Sequence, residues 1–270
     1  MNPLLELQDV SLSYHTTAGE TPALSHISFQ VTQGEFLAIV GPSGCGKTTI
    51  LNLICGLLSP SSGRILMNGR ELSRGTDNIG YMLQKDHLLE WRNIYQNVTL
   101  GLEIQHQTTP EKLEKAERML KTYGLDKFKY ARPSQLSGGM RQRAALIRTL
   151  ALEPHLLLLD EPFSALDYQT RLNVSDDIGK IIRREHKTAI LVTHDISEAI
   201  SMADRVIILT RRPARIQKIL PIDLQLESHS SLEARNTPVF KTYFNLIWKE
   251  LNQNGTDFKS PEAVSETAAT

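Results

Sequence analysis

The sequence predicts an α/β fold with a mostly parallel sheet, because apolar strand-like runs alternate with helical stretches along the chain. The wholly apolar run Phe36–Val40 leads through a glycine-rich loop into an apolar series at helical spacing. Further apolar runs at 156–159, 189–193 and 205–210 are separated by helical stretches such as 176–185 and 197–202. Between the two groups, residues from about 87 to 152 read as helical, an inserted block flanked by strand-rich segments.

Taken in order, residues 4–12 and 27–31 alternate apolar and polar positions, and Thr32-Gln33-Gly34-Glu35 is a turn between runs. Phe36–Val40 has no polar position, as expected of a strand buried on both faces. Over residues 47–58, Ile50, Leu51, Leu53, Ile54, Leu57 and Leu58 fall at helical spacing. Thr109 and Pro110 supply a cap and a proline first turn. Leu113, Ala116, Met119, Leu120 and Tyr123 then mark one face, and Gly124 is the stop. Glu111/Lys115, Glu114/Arg118 and Glu117/Lys121 stand in the favoured i,i+4 order and predict ion pairs on the solvated side. A second helix is expected from about residue 139 to 152. Beyond Pro221 the chain turns polar until Thr237 and Pro238 open a last helix. Its stripe of Val239, Phe240, Tyr243, Phe244, Ile247, Trp248 and Leu251 is expected to cover the chain's own core or a second copy. A membrane-surface role fits it less well, since its polar face carries few basic residues. Residues from 253 onward read as a disordered tail.

Composition excludes several classes. Lys plus Arg and Asp plus Glu both number 30, so the chain lacks the basic excess of a nucleic-acid binder. The two cysteines, Cys45 and Cys55, build neither a disulfide framework nor a zinc site and suit a reducing compartment. Glu6 and Asp9 interrupt the first ten residues, against a secretory leader. No run of about 18 apolar residues occurs, so no spanning helix is expected and the chain reads as cytoplasmic.

The chemistry lies in three blocks. Gly41-Pro42-Ser43-Gly44-Cys45-Gly46-Lys47-Thr48 fits the P-loop pattern without a gap, and Thr49 follows it. Its glycines let backbone N–H groups face a triphosphate at a helix N-terminus. Lys47 would neutralise the β- and γ-phosphates, and the Thr48 hydroxyl would ligate Mg²⁺. The apolar run 156–159 ends in Asp160 and Glu161, a carboxylate for the Mg²⁺ shell and a general base within reach of the attacking water. Ser137, Gly138 and Gly139 open a second helix, and so a second anion-binding N-terminus. A bland reading exists for each: a chance glycine turn, an acidic turn after a core strand, a Ser-capped helix. Their joint occurrence outweighs it.

In this order the P-loop, residues 136–140, residues 156–161, Ser164-Ala165-Leu166-Asp167 and His194 resemble an ABC-transporter ATPase subunit over about residues 4–217. The resemblance implies a P-loop NTPase (RecA-like) core with an antiparallel β subdomain and an inserted α-helical subdomain. The ATPase domain is then expected over 1–225, with the helical insertion at about 87–152, and the residue pattern beyond it predicts a helical extension over 226–252 and a disordered tail over 253–270. ATP and Mg²⁺ are the implied cofactors. Gln84 looks like the glutamine that senses Mg²⁺ and the γ-phosphate, and His194 like the histidine that contacts the γ-phosphate. Tyr14 looks like the aromatic stacked on adenine, and Asp167 like the aspartate that communicates across a dimer. The implied partners are a second copy or paired ATPase subunit, a transmembrane permease and, indirectly, an extracytoplasmic solute-binding protein. The chain would then sit peripherally on the inner face of the membrane. Residues 88–93, residues 160–167 and Arg211-Arg212-Pro213-Ala214-Arg215-Ile216 resemble importers of the nitrate, sulfonate and taurine group. In that group Trp91 would face a partner; otherwise it would be a core residue. The alternative is a non-transport ABC ATPase of cofactor assembly; tandem factors would need a second P-loop, and repair proteins a long coiled coil.

Overall fold

The computed structural model of the chain describes residues 3–17, 19–72, 78–226 and 231–253. The chain starts with the antiparallel pair β1 (Leu5–Thr16) and β2 (Gly19–Val31). Both outrun the stretches read from alternation, because irregularities at Leu7/Val10, Val10/Leu12 and Leu12/Ser13 shift the pattern while pairing continues to Tyr14 and beyond. After β3 (Phe36–Val40), every residue of which is buried, comes α1 (Lys47–Ile54). This helix stops a turn short of Leu58, where Gly56 takes φ +74°. The short strands β4 (Ser62–Met67), β5 (Arg70–Glu71) and β6 (Ile79–Met82) follow, too brief for a periodic signal.

Helices α2 (Ile94–Val98), α3 (Leu100–Ile104), α4 (Pro110–Thr122) and α5 (Gly138–Leu150) fill the middle. On α4 the predicted series of i,i+4 pairs is realised once, as Arg118 to Glu114 at 2.6 Å. Lys115 instead pairs with Glu153, and Glu117 with Lys129 at 3.5 Å. An exposed helical pair contributes only about 0.3–0.5 kcal/mol, so a neighbour from elsewhere in the fold readily displaces it.

The chain then alternates β7 (Leu156–Asp160), α6 (Tyr168–Arg184), β8 (Thr188–Thr193), α7 (Ile196–Met202), β9 (Arg205–Leu209) and β10 (Ile216–Pro221). Helix α6 begins eight residues before the predicted 176, because the Asp167 carboxylate caps it by accepting the Thr170 N–H at 3.0 Å. Its polar first turns hide the period. A short α8 (Ser231–Ala234) precedes α9 (Pro238–Gln253), which starts where predicted, with Thr237 Oγ1 accepting the Phe240 N–H at 3.2 Å. Ile247 and Leu251 of α9 are buried in the core beside α7 and β9, so the stripe covers the chain's own core. The predicted tail beyond residue 253 lies outside the described residues.

Among the described residues the strands form two sheets, of order β2-β1-β4-β5 and β10-β9-β3-β8-β7-β6. The larger is parallel except for β10. Alternation along β3 divides the core: Phe36, Ala38 and Val40 face the layer of α5, α6 and α7, while Leu37 and Ile39 face α1 and the antiparallel sheet. The expected α/β architecture, with its antiparallel sheet and helical segment, is the observed one.

Candidate functional site

The carboxyl ends of β3, β7 and β8 lie side by side, Val40 in register with Thr193 and Asp160 with Val192. Their following residues, Gly41, Glu161 and His194, therefore emerge along one edge, where open α/β sheets take their ligands.

Gly41 and Pro42 are buried, Ser43 and Gly44 form an exposed crest, and Cys45 turns back under it. Burial pushes the Cys45 thiol up, so it fills space as a neutral group. Gly46 has φ +123°, and a Cβ there would stand 2.8 Å from a Leu24 methyl, so both conformation and space demand glycine. Gly46 caps α1 with no side-chain hydrogen bond, and the first helical bond runs from Ile50 N to Gly46 O at 3.0 Å. The amides of Lys47, Thr48 and Thr49 precede it at the helix N-terminus, where backbone N–H groups meet an anion. Lys47 is 6% exposed, and its Nζ donates to the carbonyls of Gly41 and Pro42 at 2.9 and 3.0 Å.

Asp160 accepts Thr48 Oγ1 on one oxygen at 3.1 Å and Tyr81 Oη on the other at 3.2 Å. It is 7% exposed, and burial pushes its carboxyl above the ordinary range despite both hydroxyls. A buried carboxylate beside a hydroxyl is a hard-oxygen pair that suits Mg²⁺. Among the described residues no group of three or more His, Cys, Asp or Glu could hold a metal ion. Glu161 takes φ +45°, costly for a residue with a Cβ, and is held there by its N–H on Val192 O at 2.8 Å. Its Oε2 meets His194 Nδ1 at 3.1 Å. That contact lowers the Glu161 carboxyl and raises the His194 imidazole.

Gln84 reaches this edge indirectly: its Nε2 donates to Ser164 Oγ at 3.2 Å, and Ser164 Oγ donates to Glu161 O at 3.0 Å. Tyr14 shares a 3.1 Å hydrogen bond with Thr49, so its ring stands beside the P-loop. Ser137, Gly138 and Gly139 are elsewhere. Ser137 Oγ accepts the Met140 N–H at 3.3 Å, Gly138 meets Leu166, and Gly139 is buried against Val174. Among the described residues no hydrogen bond or ion pair joins these three to Lys47, Asp160, Glu161 or His194. Asp167 is exposed and spent on capping α6, which holds its carboxyl low. Trp91 is 72% exposed.

A neighbour of Asp160, and a residue that shares that neighbour's hydroxyl, escaped the sequence reading. Tyr81 approaches it from β6, and the same hydroxyl reaches Asn52 Oδ1 at 3.3 Å. Asn52 had a signal, standing one helical turn after Thr48. Tyr81 had none, since only the pairing of β6 with β7 brings it there.

The profile of the ABC transporter family matches residues 24–164. An ABC transporter ATP-binding protein of Bacillus subtilis, itself uncharacterized, is 47% identical over 92% of this chain and 95% of its own. The chain belongs to the ABC transporter ATP-binding family. An aliphatic sulfonates import ATP-binding protein of Bacillus licheniformis is 40% identical, covering 88% of this chain and 90% of its own. A nitrate transport protein of Klebsiella oxytoca is 37% identical, over 83% and 87%. A solved dimeric ATP-binding cassette in a post-hydrolysis state with ADP and phosphate aligns at TM-score 0.69 and 30% identity, over 81% of this chain and 99% of that one. As an ABC ATPase, the chain binds ATP with Mg²⁺ and hydrolyses it.

Proposed function

We propose that this ABC ATPase powers import of a small anionic solute of the nitrate or sulfonate kind, working as a two-copy nucleotide sandwich on a membrane permease. The observation that carries the sandwich is a division of the site. Lys47, Thr48, Asp160, Glu161 and His194 share one sheet edge, while the second anion-binding helix start, at Ser137, is bonded to none of them. A second copy would bring its own Ser137, Gly138 and Gly139 to the open side of the P-loop.

In this reading the P-loop, residues 41–48, with Thr49 cradles the triphosphate through its amides, and Lys47 leaves its carbonyls for the phosphates. Tyr14 stacks on adenine. Thr48 and Asp160 hold Mg²⁺, assisted by Gln84; Mg²⁺ there would neutralise phosphate charge. Glu161 is ionised at neutral pH, as a base must be, and orients the attacking water. His194 donates to the γ-phosphate, and Asp167 contacts the second copy. Exposed Leu83 and Trp91, near Gln84 in sequence, suit a permease surface. The chain thus sits peripherally at the inner membrane face, with a solute-binding protein feeding the permease from outside. Among the described residues no helix is long and apolar enough to cross a membrane.

The solute assignment rests on the sulfonate and nitrate relatives. Disrupting the coding sequence in its native cell and measuring uptake of labelled nitrate, aliphatic sulfonates and taurine tests it. Loss of one uptake, restored by the wild-type chain and not by Lys47→Ala, is expected. Undiminished uptake of all three contradicts it.

A further inference from the structure

Behind His194 lies a set of buried polar groups that the roles above leave unused. Thr193, at the end of β8, is 1% exposed; its hydroxyl donates to Glu198 Oε2 at 2.6 Å and accepts the Asp195 N–H at 3.0 Å. Glu198 is 3% exposed, and burial together with the neighbouring Asp195 charge pushes its carboxyl up to about 7. Asp195 caps α7 by accepting the amides of Ser197 and Glu198 at 2.7 and 3.2 Å. His194 is thus gripped on both sides, by Thr193 and by Asp195.

Arg171, on the first turns of α6, joins this turn to the loop that begins at Glu161. Its Nη2 donates to Leu166 O at 3.0 Å, and its Nη1 stands 3.7 Å from Asp195 Oδ2. Leu166 is also where α5 touches the loop: a Cβ on Gly138 would stand 2.9 Å from Leu166 Cδ2. Gln84 holds the same loop at Ser164. The Ser137 end of α5 thus abuts the loop at Leu166, and Arg171 bridges from Leu166 toward Asp195. The guanidinium suits this task, since a planar fork holds a carbonyl with one arm and faces a carboxylate with the other. Its Nε is buried with no hydrogen-bond partner, and 3.7 Å exceeds hydrogen-bond length, so the fork has donors to spare when either loop shifts.

Resting on the sandwich reading, we propose that Arg171 is a positioning residue that couples the loop at residues 164–167, facing the second copy, to the turn that carries His194. Its effect on turnover then passes through His194.

The test uses the full chain with Arg171→Lys and Arg171→Met, each alone and combined with His194→Ala. Equilibrium ATP binding at high dilution shows that Arg171→Lys and Arg171→Met fold, and in these two it should stay within about twofold of wild type because Arg171 touches no part of the P-loop site; far-UV circular dichroism checks folding in the His194→Ala background. Either Arg171 change should lower kcat about fivefold or more in the wild-type background and less than about twofold when His194 is already gone. Equal fold-losses in both backgrounds would mark Arg171 as a structural residue and overturn the proposal. Wild-type kcat in both Arg171 variants would overturn it as well. A distinct result, wild-type kcat in His194→Ala alone, would remove the site reading on which the proposal rests.

Discussion

Helices α1 and α5 both start at a glycine, the cap Gly46 in one and the first residue Gly138 in the other, and they differ in what meets the first turn. At α1 the cap is Gly46, which has no side chain to take the leading amides, Lys47 is buried, and Asp160 and Glu161 stand at the end of β7, two strands along the sheet from β3. At α5 the cap is Ser137, its own hydroxyl accepts the Met140 N–H, the residue is exposed, and no carboxylate of the site is bonded to it. The first end has a buried lysine and two carboxylates beside it. The second is stable without a ligand and presents a hydroxyl and a helix dipole outward. In the proposed sandwich they would be complementary half-sites, each completed by a second copy.

The comparison breaks most visibly at the α1 end. Glu161→Gln should lower kcat by about 10²–10³-fold with ATP binding retained, since a positioned general base contributes on that scale. Near-normal single-turnover hydrolysis would remove Glu161 as the base. At the α5 end, Ser137→Ala should leave ATP affinity at high dilution unchanged while lowering kcat about tenfold or somewhat more, as the loss of one hydrogen bond to a charged group warrants. Thermal unfolding should report the lost cap as about 1 kcal/mol. A weakened monomer affinity for ATP would show that Ser137 serves its own chain's site and would collapse the distinction.

Two finer measurements sharpen the α1 side. Tyr81→Phe removes one of two hydroxyls that hold Asp160 ionised, so the Mg²⁺ concentration for half-maximal activity should rise about two- to fivefold, as one hydrogen bond warrants. The Glu161–His194 pair has a pH signature in the nucleotide-free chain. His194 is raised above 6.5, so its share of the pair is present below that value and lost as pH rises through the raised one. Glu161 is lowered below 4.5, so its share is present above that value and lost as pH falls through the lowered one. The pair is complete between 4.5 and 6.5. In an imidazole proton NMR titration His194 should titrate above 6.5 and move back toward it in Glu161→Gln.

Legibility in the sequence follows the range of the interactions involved. The P-loop, the strand ending in Asp160 and the Ser137 cap are contiguous, so their residues and spacing carry the signal. Helix α9 was legible too, because a cap, a proline and a long stripe agree. What was lost depends on partners far along the chain. Tyr81 meets Asp160 through strand register, Arg171 meets Asp195 through packing of α6 on the β8–α7 turn, and Lys115 leaves Glu111 for Glu153. The left-handed backbone of Glu161 was equally invisible, since its N–H is held by Val192, a residue of another strand.

The clamp itself is tested by mass. Light scattering of Glu161→Gln with ATP and Mg²⁺ should show the 30.3 kDa chain doubling and should revert with ADP. Adding Ser137→Arg, which blocks the outward-facing half without touching the P-loop, should hold the mass at 30.3 kDa with ATP still bound. A Glu161→Gln chain that binds ATP and stays monomeric, or a double variant that dimerises as readily, would contradict a site built from two copies.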